Sequence, residues 1–372
     1  MKNKWPLATC LFLLTVSLSC SSAFVQHSSH PRHSNNTKQD TSKFSIGPKK
    51  QPQPQVATRR IDLAQEQNES EETVIRTNKG STQQAQNNAE VPNPSQFRLE
   101  NIQRVTPVRD YRNPVWSPSK PDLLAFVGGD GTYLFSIADG KMSKVSDEVA
   151  GFKFFWTADG KTLVYRARIG VGVRAIKQID IDKGTVFTLV QSNDLGLPQE
   201  ISPGIIKYRD GQQYKAVSLS KTSSTSSPKP FADQLNNQIF VVTNGMTKQI
   251  SGGEGTYFLP QVSPDGSRVL YQELTQGLYV TSLQTNDTIH LGLGDDAVWS
   301  PDSQYLLFEI TIDGEHSILA SELYITDLNG HRSQLTNTSD LLEMRPSWSS
   351  DGNHIAFDAN GAIYIAHVAF GR

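Results

Sequence analysis

Gln261-Val262-Ser263-Pro264-Asp265-Gly266, Val298-Trp299-Ser300-Pro301-Asp302 and Ser347-Trp348-Ser349-Ser350-Asp351-Gly352 repeat one short phrase, an apolar residue followed by a tight acidic turn. Two further copies stand upstream, Val115-Trp116-Ser117-Pro118 and Phe155-Trp156-Thr157-Ala158-Asp159-Gly160, and a degenerate sixth reads Lys207-Tyr208-Arg209-Asp210-Gly211. Pro presets one turn angle and Gly accepts a positive φ, so each phrase folds the chain back as a hairpin. A strand-like run follows every copy, as in Val269-Leu270-Tyr271 and Leu306-Leu307-Phe308. A second run comes after a loop, as in Leu278-Tyr279-Val280 and Ile363-Tyr364-Ile365. Such a period means stacked units, each burying its Trp or Val against the next.

A final strand ends the units: Lys144-Val145-Ser146, Thr188-Leu189-Val190, Lys248-Gln249-Ile250-Ser251, Ile289-His290-Leu291 and Gln334-Leu335-Thr336. These are five for six anchors. The last unit stops three strands in, and the missing strand stands at the start as Gln103-Arg104-Val105-Thr106. A chain whose first strand completes its last unit closes a ring and removes its exposed edges. The repeat predicts an all-β, six-bladed β-propeller over residues 96–372, its amino-terminal strand closing the last blade.

The repeat resembles the WD40-like repeat of the TolB carboxy-terminal propeller. It shares the W-S-P-D-G turn, the apolar strand, the I/L-Y-V strand and the final L-T, over about residues 98 to 370. Glu343-Met344-Arg345-Pro346 before Trp348 is close to the E-x-x-P-x-W-S run of that family. The resemblance implies a propeller fold and an envelope setting. Where TolB carries a folded α/β domain ahead of its propeller, this chain carries polar linker.

The amino end reads as an export signal, residues 1–23: Lys2 and Lys4, an apolar run from Leu11 to Leu18 too short to anchor, then small residues from Ser17 to Ala23. Two processing sites compete, Ser21-Ser22-Ala23 for cleavage and Leu18-Ser19-Cys20 for lipidation at Cys20. Residues 24–95 are dense in Gln, Asn, Ser, Thr and Pro and read as a disordered polar tether. Within it, Arg60 to Ile75 reads as fluctuation rather than a partner helix. His27, His30 and His33 read as linker rather than a chelate, having no scaffold to fix their geometry.

Composition limits the chemistry. Lys plus Arg number 35 against 37 Asp plus Glu, which gives no general field for nucleic acid or an acidic membrane. The only cysteines, Cys10 and Cys20, lie in the signal, so the ring has no disulfide framework and no Cys-based zinc site. No G-x-S-x-G, P-loop or H-E-x-x-H occurs. His290, His316, His331, His354 and His367 never stand at metal-ligand spacing. Asp159, Asp265, Asp302 and Asp351 recur once per unit and read as turn residues rather than calcium ligands. Trp116, Trp156, Trp299 and Trp348 read as inter-blade core rather than a sugar platform.

What remains is surface. Three long stretches, Ser192 to Gly204, Lys221 to Asn237 and Ile310 to Ser321, read as loops on one face of the ring. They carry Asp194, Glu200, Lys221, Lys229, Asp233, Asp313, Glu315 and His316, a mixed-charge rim suited to protein or peptide capture. The expectation is an exported, monomeric, non-enzymatic scaffold of the cell envelope. It needs no cofactor, binds no nucleic acid, touches membrane only through a lipid at Cys20, and has an envelope protein or peptide as partner. The alternatives are a propeller enzyme such as a metal-dependent polysaccharide lyase, and a component related to the Tol-Pal system.

Overall fold

The computed structural model describes residues 92–151, 153–219, 227–315 and 317–370. The export signal with Cys20, the tether through residue 91, and the side chains of Lys221 and His316 lie outside the described residues.

A first strand, β1 (Phe97–Arg104), precedes seven sheets set in chain order. Blade 1 holds β2 (Arg112–Trp116), β3 (Leu123–Gly128), β4 (Gly131–Ser136) and β5 (Lys141–Ser146). Blade 2 holds β6 (Phe155–Trp156), β7 (Thr162–Arg168), β8 (Arg174–Asp180) and β9 (Val186–Ser192). Blade 3 has three strands, β10 (Gln199–Ser202), β11 (Ile205–Asp210) and β12 (Gln213–Ser218). Blade 4 also has three, β13 (Phe231–Leu235), β14 (Gln238–Thr243) and β15 (Met246–Gln249). Blade 5 is β16 (Tyr257–Val262), β17 (Arg268–Glu273), β18 (Gly277–Ser282) and β19 (Thr288–Gly292). Blade 6 is β20 (Asp295–Trp299), β21 (Tyr305–Asp313), β22 (Ile318–Asp327) and β23 (Arg332–Gln334). Blade 7 is β24 (Glu343–Trp348), β25 (His354–Ala359) and β26 (Ala362–Phe370), completed by β1, which pairs antiparallel with β26 from Phe97↔Phe370 to Arg104↔Tyr364.

The ring therefore has seven blades, and the expected six is corrected. The difference falls between Ser192 and Asn237. Two stretches that read as loops there contain β10 and β13, so the material expected to make one blade makes two three-stranded ones. The third stretch is a strand hairpin, β21 running on to Asp313 and turning at Gly314, whose N–H donates to Ser317 O at 2.7 Å. The physical reason for the miscount lies in the joints. Six apolar clusters each join two neighbouring sheets, for example Trp116, Phe126 and Phe135 of blade 1 against Ile363 and Ile365 of blade 7. Blades 3 and 4 meet instead through a buried ion pair, Arg209 Nε to Asp233 Oδ2 at 2.8 Å, and an edge contact of Tyr214 on Phe231. No Trp anchor marks that joint.

The second strands of the blades are the most enclosed because both neighbours cover them: β3, β17 and β25 each show five consecutive buried residues. Outer strands such as β5 and β15 face water and are polar. The anchor turns hold themselves by one recurring device. Thr157, Ser263, Ser300 and Ser349 each donate a hydroxyl hydrogen bond to the Asp two residues on, at 2.7, 2.6, 2.5 and 2.6 Å. That carboxylate then accepts the N–H of Lys161, Ser267, Gln304 or Asn353, the Asx turn that shapes such loops. Trp156 Nε1 donates to Val115 O at 3.0 Å and Trp299 Nε1 to Gln261 O at 3.3 Å, so each of these indoles bonds the first strand of the preceding blade.

Candidate functional site

Chain direction alternates within each four-stranded sheet. The turns between first and second strands and between third and fourth strands therefore lie on one face, here the turn face. The turns between second and third strands, and the connections from one four-stranded blade to the next, lie on the other, the loop face, whereas the connection from β12 to β13 stays on the turn face, where Leu219 N–H donates to Gly204 O.

Two sets of equivalent positions line the middle of the ring. In the five anchored blades the residue three before the anchor sits in a left-handed conformation: Asn113 (φ 53°), Lys153 (55°), Leu259 (51°), Asp296 (47°) and Arg345 (51°). In four of them the strand register shifts at this point, which marks a β-bulge that turns the side chain out of the ladder. The second set follows the buried aromatic of the second strand in six of the seven blades: Val127, Arg166, Arg209, Gln272, Glu309 and Asp358. Lys153, Arg166 and Arg209 stand on blades 2 and 3, and Asp296, Glu309 and Asp358, with the cation Arg345 among them, on blades 6 and 7.

These groups meet. Lys153 Nζ reaches Asp296 Oδ1 at 2.7 Å across non-adjacent blades. Arg345 Nε reaches Asp358 Oδ2 at 2.8 Å, the same oxygen accepts Asn113 N–H at 3.0 Å, and the Arg345 N–H donates to Glu309 Oε2. Three carboxyls face two cations, and the protonation equilibria follow. Burial would raise Asp296, but the charge and hydrogen bond of Lys153 outweigh it and hold this carboxyl below the usual range. Burial pushes Asp358 up to about 6 despite Arg345. Glu309, desolvated and close to the Asp296 charge, is raised well above an ordinary glutamate. The charge-balanced state is two ion pairs and one neutral Glu309. Among the described residues, no three His, Cys, Asp or Glu side chains group as a metal site.

The blade 2–4 side is arranged differently. Arg209 takes both nearby carboxylates, Asp233 at 2.8 Å and Asp194 at 3.0 Å. Arg166 and Arg174 are left to converge on one backbone oxygen, Leu195 O, at 2.8 and 3.4 Å. Burial first, then the charge of Arg174, lowers Arg166 to about 10.

The loop face carries exposed apolar side chains. Of thirteen large hydrophobic side chains exposed among the described residues, seven lie there: Val108, Ile169, Val171, Leu274, Leu293, Ile312 and Leu319. Of the residues singled out from the sequence, Asp194, Asp313 and Glu315 lie on this face, in the connection to blade 3 and in the β21–β22 hairpin. Glu200 and Lys229 do not. The Glu200 carboxylate accepts Ala158 N–H at 2.6 Å and Gly204 N–H at 2.7 Å, and Lys229 Nζ donates to Pro264 O at 3.2 Å, which places both against anchor turns on the turn face. The channel charges Lys153, Asp296, Glu309, Arg345 and Asp358 were not among the sequence candidates. Their signal is positional, three residues before each anchor and one after each second-strand aromatic, and not a shared residue type.

No family model and no curated protein matches the chain. Solved structures similar to it in fold include an oligogalacturonate lyase in complex with manganese, with TM-score 0.43, 14% identity, and coverage of 74% of this chain and 97% of that one. A chain of a mitotic checkpoint complex gives TM-score 0.49 and 14% identity, over 80% and 99% of the two chains. A protein of Agrobacterium tumefaciens described as a TolB gives 0.44 and 16%, over 74% and 99%.

Proposed function

We propose that the chain is an exported, non-enzymatic β-propeller that captures a protein or peptide partner in the bacterial cell envelope through the loop face of its ring. The observation that supports this most is the group of exposed apolar side chains on the loop face. Val171 is fully exposed and Leu274 about two-thirds so, both on second-to-third strand turns, and Leu319, also about two-thirds exposed, stands at the start of β22 beside the β21–β22 turn. Water-facing apolar groups brought together on mobile turns favour an interaction surface. The charged amino end followed by an apolar run supports export, and the polar stretch that follows supports a tethered body.

The test uses the full chain, affinity-tagged, in envelope extract. Val171→Glu combined with Leu274→Glu should abolish recovery of the partner without altering the melting temperature. Lys183→Glu combined with Gln284→Glu, on third-to-fourth strand turns of the turn face, should leave recovery intact. Equal recovery by both variants would overturn the binding-face reading.

A further inference from the structure

The hairpin that carries Val171 is built around a charge conflict. In the β7–β8 register Arg168 pairs directly with Arg174, two cations opposite each other on one face of the ladder, an arrangement that destabilises a sheet. Arg166 lies two residues before Arg168 on the same face, and its guanidinium shares Leu195 O with that of Arg174. Three cations thus crowd one hairpin end. Among the described residues none of the three has a carboxylate within ion-pair distance, because Arg209 holds Asp194 and Asp233. The conflict borders open solvent: Arg168, Val171, Val173 and Arg174 line a shallow recess at the hairpin tip.

We propose that this hairpin end is a carboxylate-binding site for an acidic segment of the partner peptide, with Arg168 and Arg174 engaging its carboxylates and Val171 covering its apolar flank. The assignment rests on the binding-face reading and adds the chemistry of the partner. Guanidinium forks match carboxylates in bidentate geometry, and such charge-assisted pairs are the strong ones. A bound anion removes the repulsion between Arg168, Arg174 and Arg166 at the moment it forms its own bonds. The unliganded ring carries the strain, and the complex relieves it. Ile169 and Val171 on the same turn favour a peptide that alternates acidic and apolar residues over a bare anion.

The experiment is fluorescence anisotropy with the full chain and a labelled octaglutamate peptide, with octalysine, acetate and inorganic phosphate as comparison probes. Octaglutamate should bind with an affinity that falls as salt rises, and octalysine should not bind. Arg174→Gln should weaken octaglutamate binding by about tenfold or more. Its melting temperature should stay unchanged or rise, a readout that a purely structural arginine would move downward. Asp313→Asn, on the β21–β22 hairpin of the same face, should leave binding unchanged. Undiminished binding by Arg174→Gln, or no octaglutamate binding at low salt, would overturn the assignment. Phosphate or acetate competing as strongly as the peptide would also overturn it, in favour of a small-anion site. If partner recovery is lost in the Val171→Glu, Leu274→Glu chain but retained in Arg174→Gln, the arginine assignment fails alone and the binding face stands.

Discussion

Lys153 Nζ and Asp296 Oδ1 lie 2.7 Å apart although their strands belong to blades 2 and 6, which are not neighbours in the ring. This ion pair is a strut across the middle of the propeller, and both residues reach it from left-handed positions three before their anchors. Removing one partner of an enclosed pair forfeits its attraction while the other group stays desolvated. Lys153→Met and Asp296→Leu are each expected to cost about 2 to 4 kcal/mol. The double variant should cost less than the sum. Urea denaturation of the four chains checks this, and strictly additive losses would show that the two groups do not depend on each other.

The clasp can be tested at Phe97. Its ring, 2% exposed, packs edge-on to Tyr305 of blade 6 at 4.8 Å and against Phe370 of blade 7 at 4.6 Å. It therefore joins the chain's first strand to both blades at the closure. Phe97→Ala is expected to cost about 3 to 5 kcal/mol, as for other large-to-small core changes. The exposed Ile102→Ala on the same strand should cost much less. Similar melting temperatures for the two variants would contradict the closing role of Phe97.

The tryptophans should separate by environment. Trp156 is 5% exposed and bonded to the neighbouring blade, whereas Trp348 is half-buried and its indole donates to Gly352 O in its own turn at 3.0 Å. Trp156→Ala should cost about 3 to 5 kcal/mol, and Trp156→Phe about 1 kcal/mol more than simple loss of volume explains, for the hydrogen bond to Val115 O. Trp348→Ala should cost less than Trp156→Ala. The reverse order in thermal denaturation would count against the inter-blade role of Trp156.

Glu343 gives a pH test with a defined sign. Its buried carboxyl is pushed up to about 7, by burial above all, and Oε2 has no hydrogen-bond partner while Oε1 accepts Thr338 Oγ1 at 2.8 Å. Between pH 4.5 and 7 the folded chain keeps this proton and the unfolded chain releases it, so stability falls as pH rises through that window. Glu343→Gln never ionises. It should therefore gain on the wild-type chain as pH rises from 4.5 to 7, by up to about 3 kcal/mol, and hold that gain above pH 7. Urea melts at pH 4.5 and 8 measure the difference, and a gain confined to the lower pH would reverse the assignment.

The sequence made the anchored blades legible because turn chemistry and strand pattern agree there. Ser300-Pro301-Asp302 announces a turn, and Leu306-Leu307-Phe308 announces a strand covered on both sides. The strand that opens blade 4, β13, was not legible. Phe231-Ala232-Asp233-Gln234-Leu235 is a short run holding a charge, it follows no acidic turn, and it joins blade 3 through Arg209 instead of a Trp. A buried ion pair leaves no hydrophobic signature, so β13 passed as loop. The channel was hidden for a related reason. The position three before the anchor holds Asn, Lys, Leu, Asp and Arg in successive anchored blades, so only its place is constant, and which of these charges meet depends on ring closure.

Site-specific photocrosslinking in the cell envelope tests the binding face most directly. A photoreactive amino acid is placed at Val171 or Leu274 on the loop face, and at Lys183 or Gln284 on the turn face, in the full exported chain. The expected result is a discrete protein adduct from Val171 and Leu274 and none from Lys183 and Gln284. Adducts from the turn-face positions alone, or equally from all four, would contradict capture through the loop face.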